Sequence, residues 1–320
     1  MGYDHLFGPV ASRRLGVSLG VDLVVHKVCS LDCVYCECGE TTELTLERRA
    51  WVPFDKVRAE LDHYWAANPD PDYITFSGSG EPCLNKDLGR VINYIKNQKP
   101  GIRVAVLTNA TLLADESVRK DLERADLVVP SLDGVSAAVF RKINRPCPAL
   151  DPETVIKGIR MFSRGFKGQV HLEIFILPGV NDTPEELARF KTAIEDIRPD
   201  RVQLNSLDRP GTCDFVRPAD RRDLEKIREF LGPDRVDIVA RTPAAEKTGR
   251  KGRTGSEADL EAAVLETVHR RPSTCSDLAD MLGADPDRVQ SLLDDLTATG
   301  KIECRRQDRG LFYQTQKPTN

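Results

Sequence analysis

Cys29-Ser30-Leu31-Asp32-Cys33-Val34-Tyr35-Cys36 places three thiols at the spacing C-x3-C-x2-C, with a fourth, Cys38, two residues further on. The octet follows the β-branched run Val17 to Val25, so it reads as the loop at the end of a strand. Three thiolates on one loop can converge on a single inorganic centre. Structural zinc closes four ligands around one ion, usually as two close cysteine pairs separated by a longer insert, and no distant second pair is present here. A three-cysteine site suits a [4Fe-4S] cluster whose remaining iron carries no protein ligand and stays open to a substrate or cofactor. Cys38 either ligates or tunes such a centre, and the spacing leaves both open. The other cysteines, Cys83, Cys147, Cys213, Cys275 and Cys304, are scattered and read as small buried hydrophobes, with Cys83 set apart because it follows a motif described below.

Outward from this loop, short β-branched runs alternate with segments of helical period as far as about residue 240. The strands expected are Val17 to Val25, Tyr73 to Phe76, Val104 to Leu107, Leu127 to Pro130, Val170 to Leu177 and Val202 to Leu207. Val57, Leu61, Tyr64 and Trp65 share one helical face, as do Leu88, Val91, Ile92 and Ile95. A later helix carries Leu187, Phe190, Ile194 and Ile197, with Thr183 as N-cap, Pro184 at its first position and Glu186 expected to complete a capping box. Strand and helix in alternation predict an α/β fold, a partial (β/α)6 TIM-like barrel, with functional residues at the strand C-termini.

Residues 241–256 are basic and glycine-containing with no apolar period, which predicts a flexible linker after a core of residues 1–240. Beyond it, Leu260, Val264, Leu265 and Val268 mark one helix, Leu278, Met281 and Leu282 a second, and Val289, Leu292, Leu293 and Leu296 a third stopped by Gly300. Two short runs around Asp308-Arg309-Gly310 then predict a hairpin. Three helices and a hairpin over residues 257–316 read as a winged-helix-like domain.

At 320 residues the chain has room for about two domains. Its 40% hydrophobic and 30% charged residues exclude disordered and fibrous classes. No apolar run reaches the roughly 18 residues of a membrane-spanning helix. Asp4 interrupts the N-terminus, and Leu6 stands where a myristoylation signal requires Ser or Thr, so a cytoplasmic location without membrane association is expected. The net charge of −4 supplies no overall field toward nucleic acid.

With these residues in place, the chain resembles the radical S-adenosylmethionine (SAM) superfamily over residues 1 to about 210. The carriers of the resemblance are the cysteine triplet with Tyr35 before its last member and Gly78-Ser79-Gly80-Glu81-Pro82 after the second strand. The latter is similar to the family's GGEP motif, with Ser79 in place of a glycine. The resemblance implies that Cys29, Cys33 and Cys36 hold a [4Fe-4S] cluster, that its open iron chelates SAM, and that reductive cleavage yields a 5′-deoxyadenosyl radical. It also implies that Gly78, Gly80, Glu81 and Pro82 meet the amino group of SAM, that Ser131 and Asp133 meet its ribose, and that Asn205 lies among the adenine and substrate contacts. Tyr35 and Asn109 fall on the same rim. Gly8-Pro9-Val10-Ala11-Ser12-Arg13-Arg14-Leu15-Gly16 and Asn144-Arg145-Pro146 resemble a subgroup related to the wyosine-synthesis enzymes of tRNA modification, which makes tRNA or another nucleotide-like molecule the candidate substrate. The chemistry further implies a low-potential electron donor, a ferredoxin or flavodoxin.

Several residues admit plainer roles. Gly78 to Pro82 also fits an ordinary turn, Asp133-Gly134 is a common turn pair, and Asn109 is equally suited to N-cap a helix. Lys142 and Arg145 are candidates for an anionic group or for surface pairing, and Arg13 and Arg14, before the first strand, are expected away from the rim. His26 is positioned to tune a cluster; the remaining histidines lack ligand spacing. The third C-terminal helix carries Asp285, Asp287, Asp294 and Asp295 against one Arg288, which argues against duplex DNA. The wing and linker arginines Arg305, Arg306, Arg309, Arg250 and Arg253 leave RNA contact open. Two alternatives stand beside the enzyme: an Fe-S redox-responsive regulator binding nucleic acid through the C-terminal domain, and a zinc-stabilised binding module.

Overall fold

The β-branched runs pair into one curved sheet in the computed structural model, which describes residues 3–12, 14–213, 215–240, 257–307 and 309–315. In chain order, strands β1 (Leu6–Ser12), β2 (Gly16–Val21), β3 (Val28–Cys29) and β4 (Glu43–Leu44) lead into helix α1 (Phe54–Ala67). There follow β5 (Tyr73–Phe76), α2 (Leu88–Gln98), β6 (Arg103–Thr108), α3 (Glu116–Asp121), β7 (Leu127–Pro130), α4 (Ala137–Asn144) and α5 (Pro152–Gly165). Then come β8 (Gln169–Phe175), α6 (Pro184–Ile197), β9 (Arg201–Asn205), α7 (Arg221–Leu231) and β10 (Val236–Ile238). The sheet runs β1-β2-β5-β6-β7-β8-β9-β10, parallel from β2 to β10 and antiparallel only at β1.

Parallel strands covered on both faces should lack alternation, and every residue of β5 and β7 is buried. Outside the sheet, Val57 and Leu61 of α1, Leu88, Val91, Ile92 and Ile95 of α2, and Ile159 and Phe162 of α5 form one continuous core with Ile74, Val104 and Val106. Truncating such a side chain, Ile92→Ala for example, costs about 2–5 kcal/mol. Inside the curve, Leu15, Tyr73, Ala105, Leu127 and Val129 make a smaller cluster.

The expected fold class is observed, with local corrections. The first parallel strand stops at Val21, because the Asp22 carboxylate turns the chain by accepting from the Val24 amide at 3.3 Å. The edge strands β1 and β10 were not expected; β1 holds Gly8-Pro9, poor strand formers, and β10 is three residues long. Strands expected to run to Leu177 and Leu207 end at Phe175 and Asn205. Thr183 caps α6 as expected, yet Glu186 does not close a capping box: its carboxylate accepts from the amides of Val135 at 2.6 Å and Ser136 at 2.9 Å, tying α6 to the loop after β7.

Residues 257–315 add α8 (Glu257–Arg270), β11 (Ser273–Thr274), α9 (Cys275–Leu282), α10 (Pro286–Ala298), β12 (Ile302–Gln307) and β13 (Gly310–Thr315). Val264, Val268, Leu278, Val289, Leu293 and Tyr313 form their own core, and the three strands pair in the order β11-β13-β12. The three helices and hairpin expected are present. The basic segment 241–256, together with Arg13 and Asp308, lies outside the described residues. Arg309 is not free on the wing: it donates to Asp208 and to Asp277, each at 2.8 Å. Among the described residues no helix is long and apolar enough to cross a membrane.

Candidate functional site

The cysteine loop leaves β3 at the C-terminal end of the sheet and is fixed from two sides. The amides of Asp32 and Val34 donate to the carbonyls of Asn144 and Ile143, each at 2.9 Å, and the Glu81 amide donates to Val28 at 3.1 Å. Two sulfurs receive side-chain amides: Asn109 Nδ2 lies 3.5 Å from Cys29 Sγ and Asn144 Nδ2 3.3 Å from Cys33 Sγ. Lys27, 2% exposed, donates through Nζ to the Gly39 carbonyl at 2.7 Å. Burial opposes its charge, but the thiolate of Cys36 and its neighbours Cys29 and Cys33 more than offset this and raise its pKa.

Burial pushes the Cys29 thiol up to about 12, helped by the Glu81 carboxylate, and pushes Cys33 well above its ordinary value, helped by Asp133. Cys36 is pulled down instead, by hydrogen bonding from Cys38 and by Lys27, while Cys38, donating to Cys36, is pushed up. Cys38 Sγ also donates to the Gly78 carbonyl at 3.3 Å. Burial thus disfavours the thiolates of Cys29 and Cys33, and a metal centre at the sulfurs would favour them.

Gly78-Ser79-Gly80-Glu81-Pro82 forms the wall beside this loop. Asp22 accepts from both the amide and the hydroxyl of Ser79, at 2.9 and 2.5 Å. A Cβ at Gly78, where φ is +137°, would stand 2.6 Å from the Asp22 carboxyl carbon, and one at Gly80 would stand 1.9 Å from the Val28 carbonyl oxygen, so both positions require glycine. Glu81, 2% exposed, accepts from the Cys83 amide at 3.0 Å, Thr108 Oγ1 at 2.6 Å and the Asn109 amide at 2.7 Å. Burial raises its pKa while these donors favour the carboxylate. Pro82 opens a short 3-10 turn.

The opposite wall is built on Asp133. Its carboxylate accepts from Tyr35 Oη at 2.5 Å, Asn144 Nδ2 at 2.9 Å and the Phe175 amide at 2.9 Å. Burial nevertheless raises its pKa to about 6. The Tyr35 ring stacks on Phe175, centroids 3.8 Å apart. Asn181 braces the same loop by donating to the Asp133 and Phe175 carbonyls at 2.9 and 2.7 Å.

Tyr35, Asn109, Ser131 and Asp133 thus line one small cavity, about 40 Å3, beside the cysteine loop. Gly78, Gly80, Glu81 and Pro82 do not line it; they stand beside the cysteine loop, where the Glu81 amide donates to Val28 and the Glu81 carboxylate accepts from the Asn109 amide. Asn205 stands apart and reaches the group through Glu173, 3.5 Å away. Asn109 caps no helix; its Oδ1 accepts from the Thr111 amide at 3.1 Å in a local turn. Arg145 lies 3.6 Å from Asp32 and donates to Cys213 Sγ at 3.2 Å. His26 donates from Nε2 to the Cys38 carbonyl, 3.1 Å away.

Lys27, Asp22 and Asn144 were not expected at the site. Asn144 heads the Asn-Arg-Pro motif, which was its only signal. Arg14 was expected away from the rim, but it turns into the barrel, where it pairs with Glu173 at 2.5 Å and donates to Gln203 at 2.7 Å, because the short turn after β1 folds back over the sheet.

The donor set fits an iron–sulfur cluster. Its ligands are thiols, and the side-chain amides of Asn109 and Asn144 and the buried ammonium of Lys27 face the sulfurs.

The family model described as Radical SAM superfamily matches residues 23–190, more than half of the chain. The chain is 35% identical over 298 residues to a protein called GTPase Obg from Brachyspira hyodysenteriae, covering 93% of this chain but 43% of that protein, so it spans less than half of that relative. It is 38% identical over 209 residues to a UPF0026 protein of Synechocystis sp., covering 65% of this chain and 77% of that one. The crystal structure of a radical SAM methyltransferase from Sphaerobacter thermophilus shares the fold, with a TM-score of 0.55 at 15% identity over 72% of this chain and 68% of that one.

Proposed function

The chain belongs to the radical SAM superfamily, an enzyme family that uses a [4Fe-4S] cluster and SAM, and we propose that Cys29, Cys33 and Cys36 are the three cluster ligands. When bound, the cluster supplies a low-potential electron that cleaves SAM to a 5′-deoxyadenosyl radical, which takes a hydrogen atom from the substrate. The observation carrying this reading is the placement of the cysteine loop between two preformed walls, one built on Glu81 and Asp22, the other on Asp133.

The chain's own residues position and shield. Asn109 and Asn144 donate to Cys29 and Cys33 and so stabilise electron density on sulfur. Lys27 places a positive charge behind the loop. Asp22 and Glu81 hold Gly78 to Pro82 in the shape that presents backbone acceptors to the amino group of SAM. Both oxygens of Asp133 are taken by protein donors, so it orients Tyr35 and Asn144, and Asn109 is likewise spent on Cys29, Ser30 and Thr111, while Ser131 offers its hydroxyl to the ribose. Asn205, through Glu173, marks the substrate side.

Residues 1–240 form the catalytic core in this reading, 241–256 a linker and 257–316 a winged-helix-like domain. The enzyme works in the cytoplasm with a ferredoxin or flavodoxin as reductant, on a nucleotide-like substrate. Arg309 is already paired, which weighs against the regulator that grips nucleic acid by its wing.

The test is anaerobic purification followed by iron and sulfide analysis, electron paramagnetic resonance of the reduced protein, and chromatography for 5′-deoxyadenosine. A cluster signal that changes on adding SAM, with 5′-deoxyadenosine released under reductant, is expected. Iron-free protein, or a cluster with four protein ligands, overturns the reading.

A further inference from the structure

The barrel encloses a second and much larger cavity, about 610 Å3, within the size range of small-molecule sites. Its lining mixes apolar side chains such as Leu15, Leu127 and Val129 with cationic ones. Four arginines reach it, Arg14, Arg103, Arg201 and Arg271. Arg14 is paired with Glu173 at 2.5 Å. Arg201 is forked onto Asp237. Arg103 lies over the Tyr73 ring, 4.3 Å from its centroid.

Arg271 differs. It belongs to the second unit, directly after α8, and half-buried it lines the barrel cavity; among the described residues its guanidinium makes no hydrogen bond and no ion pair. Burial and the like charge of Arg209 lower its pKa, as expected of a cation whose counter-charge is insufficient. Its neighbour Arg270 fixes the seam by donating to the Asp4 carbonyl at 3.2 Å and lying 3.8 Å from Asp22, so Arg271 is held over the cavity by a docked helix end.

A second donor is also unspent. Gln203 Oε1 accepts from Arg14, so Gln203 Nε2 donates to His171 Nδ1 at 3.2 Å. The imidazole proton then sits on Nε2, a buried atom without a partner. An unpaired guanidinium lining the chamber calls for an acceptor that carries negative charge.

We propose that this chamber takes the substrate and that the substrate carries an oxyanion, a carboxylate or a phosphate, bound by Arg271. The second unit then completes the barrel site and sets its specificity. The proposal rests on the radical SAM reading of the adjacent cysteine site.

The anaerobically reconstituted full chain is treated with phenylglyoxal, with inorganic phosphate or malonate present or absent, and labelling of each arginine is followed by peptide mass spectrometry. Arg271 should react in the free enzyme and be protected at least tenfold by one probe, while exposed Arg222 is unaffected; protection by phosphate or by malonate alone identifies which oxyanion the site takes. An unreactive Arg271, or labelling equal with and without both probes, overturns the proposal. In calorimetric titrations of the same probes, Arg271→Gln should weaken binding at least tenfold, about 1.4 kcal/mol, Arg271→Lys less, and Arg222→Gln not at all. Equal affinity in Arg271→Gln also overturns it. Release of 5′-deoxyadenosine is measured on the same samples. Release without anion protection sinks this proposal alone, and protection without release sinks the radical SAM assignment alone.

Discussion

Asp22 accepts two hydrogen bonds from Ser79, one from its amide and one from its hydroxyl, at 2.9 and 2.5 Å. The serine thus occupies a glycine position of the family motif because this chain has a carboxylate at the end of β2 to anchor it. Arg270, 3.8 Å away on the other side, supplies the countercharge from the second unit.

Ser79→Ala should therefore weaken SAM binding several-fold without reducing iron content. Leaving the buried carboxylate short of one donor costs about 1–3 kcal/mol. Equilibrium dialysis with SAM and thermal unfolding of the same protein measure both effects; unchanged SAM affinity would show that the anchor does not shape the wall.

Serine at Cys29, Cys33 or Cys36 should abolish cluster assembly, whereas Cys38→Ser should retain iron and still release 5′-deoxyadenosine. The distinction comes from Cys38 lying outside the C-x3-C-x2-C triplet, with its sulfur turned to the Gly78 carbonyl. Iron and sulfide determination on the four variants decides it; loss of iron from Cys38→Ser would make it a ligand.

Lys27→Met should lower the reduction potential of the cluster. One charge at roughly 8 Å with an effective dielectric of roughly 20 amounts to about 2 kcal/mol, on the order of 90 mV for one electron. Redox titration monitored by paramagnetic resonance reads the shift, and an unchanged potential would leave Lys27 a structural residue held by Gly39.

Asp133 makes stability depend on pH. Burial raises its pKa from 3.8 to about 6, so the folded chain favours the protonated acid. Below about pH 4 both states are protonated and there is no penalty. As pH rises through about 4 to 6 the folded state loses stability relative to the unfolded, by at most roughly 3 kcal/mol. Urea unfolding of the cluster-free chain across this window should show a downward contribution that Asp133→Asn lacks; parallel pH profiles for the two proteins would refute it.

Arg209, 9% exposed, lies 3.2 Å from Glu37 and 3.8 Å from Asp277 and joins the barrel to α9. Arg209→Met leaves Glu37, 33% exposed, without this cation while Asp277 keeps Arg309, and should cost about 1–3 kcal/mol. Hydrogen exchange should rise first in Ser273–Leu282, at the seam, and uniform exchange across both units would locate the loss elsewhere.

The strand and helix alternation and the cysteine spacing were legible because each is a local pattern. β1 and β10 were not, since a Gly-Pro strand and a three-residue strand carry no period and form only against neighbours already in place. Glu186 looked like a capping partner at its proper spacing, but two amides of the β7 loop compete for it. Asp133 read as a free rim acceptor, and only the folded chain brings Tyr35, Asn144 and the Phe175 amide onto it. Lys27, Arg14 and Arg271 illustrate the same limit: the surroundings of each lie on other elements, and no one-dimensional spacing announces that a long side chain turns inward.

The wing's tip arginine has a further bearing on how polyanions meet this protein. Arg309 is mortar between Asp208 and Asp277, so a phosphate backbone drawing it outward would have to prise two carboxylates apart and strip them of their shared cation. The attraction suggested by counting arginines on the hairpin is therefore overstated, and approach there would loosen the join between Asp208 and α9 instead of gaining a foothold.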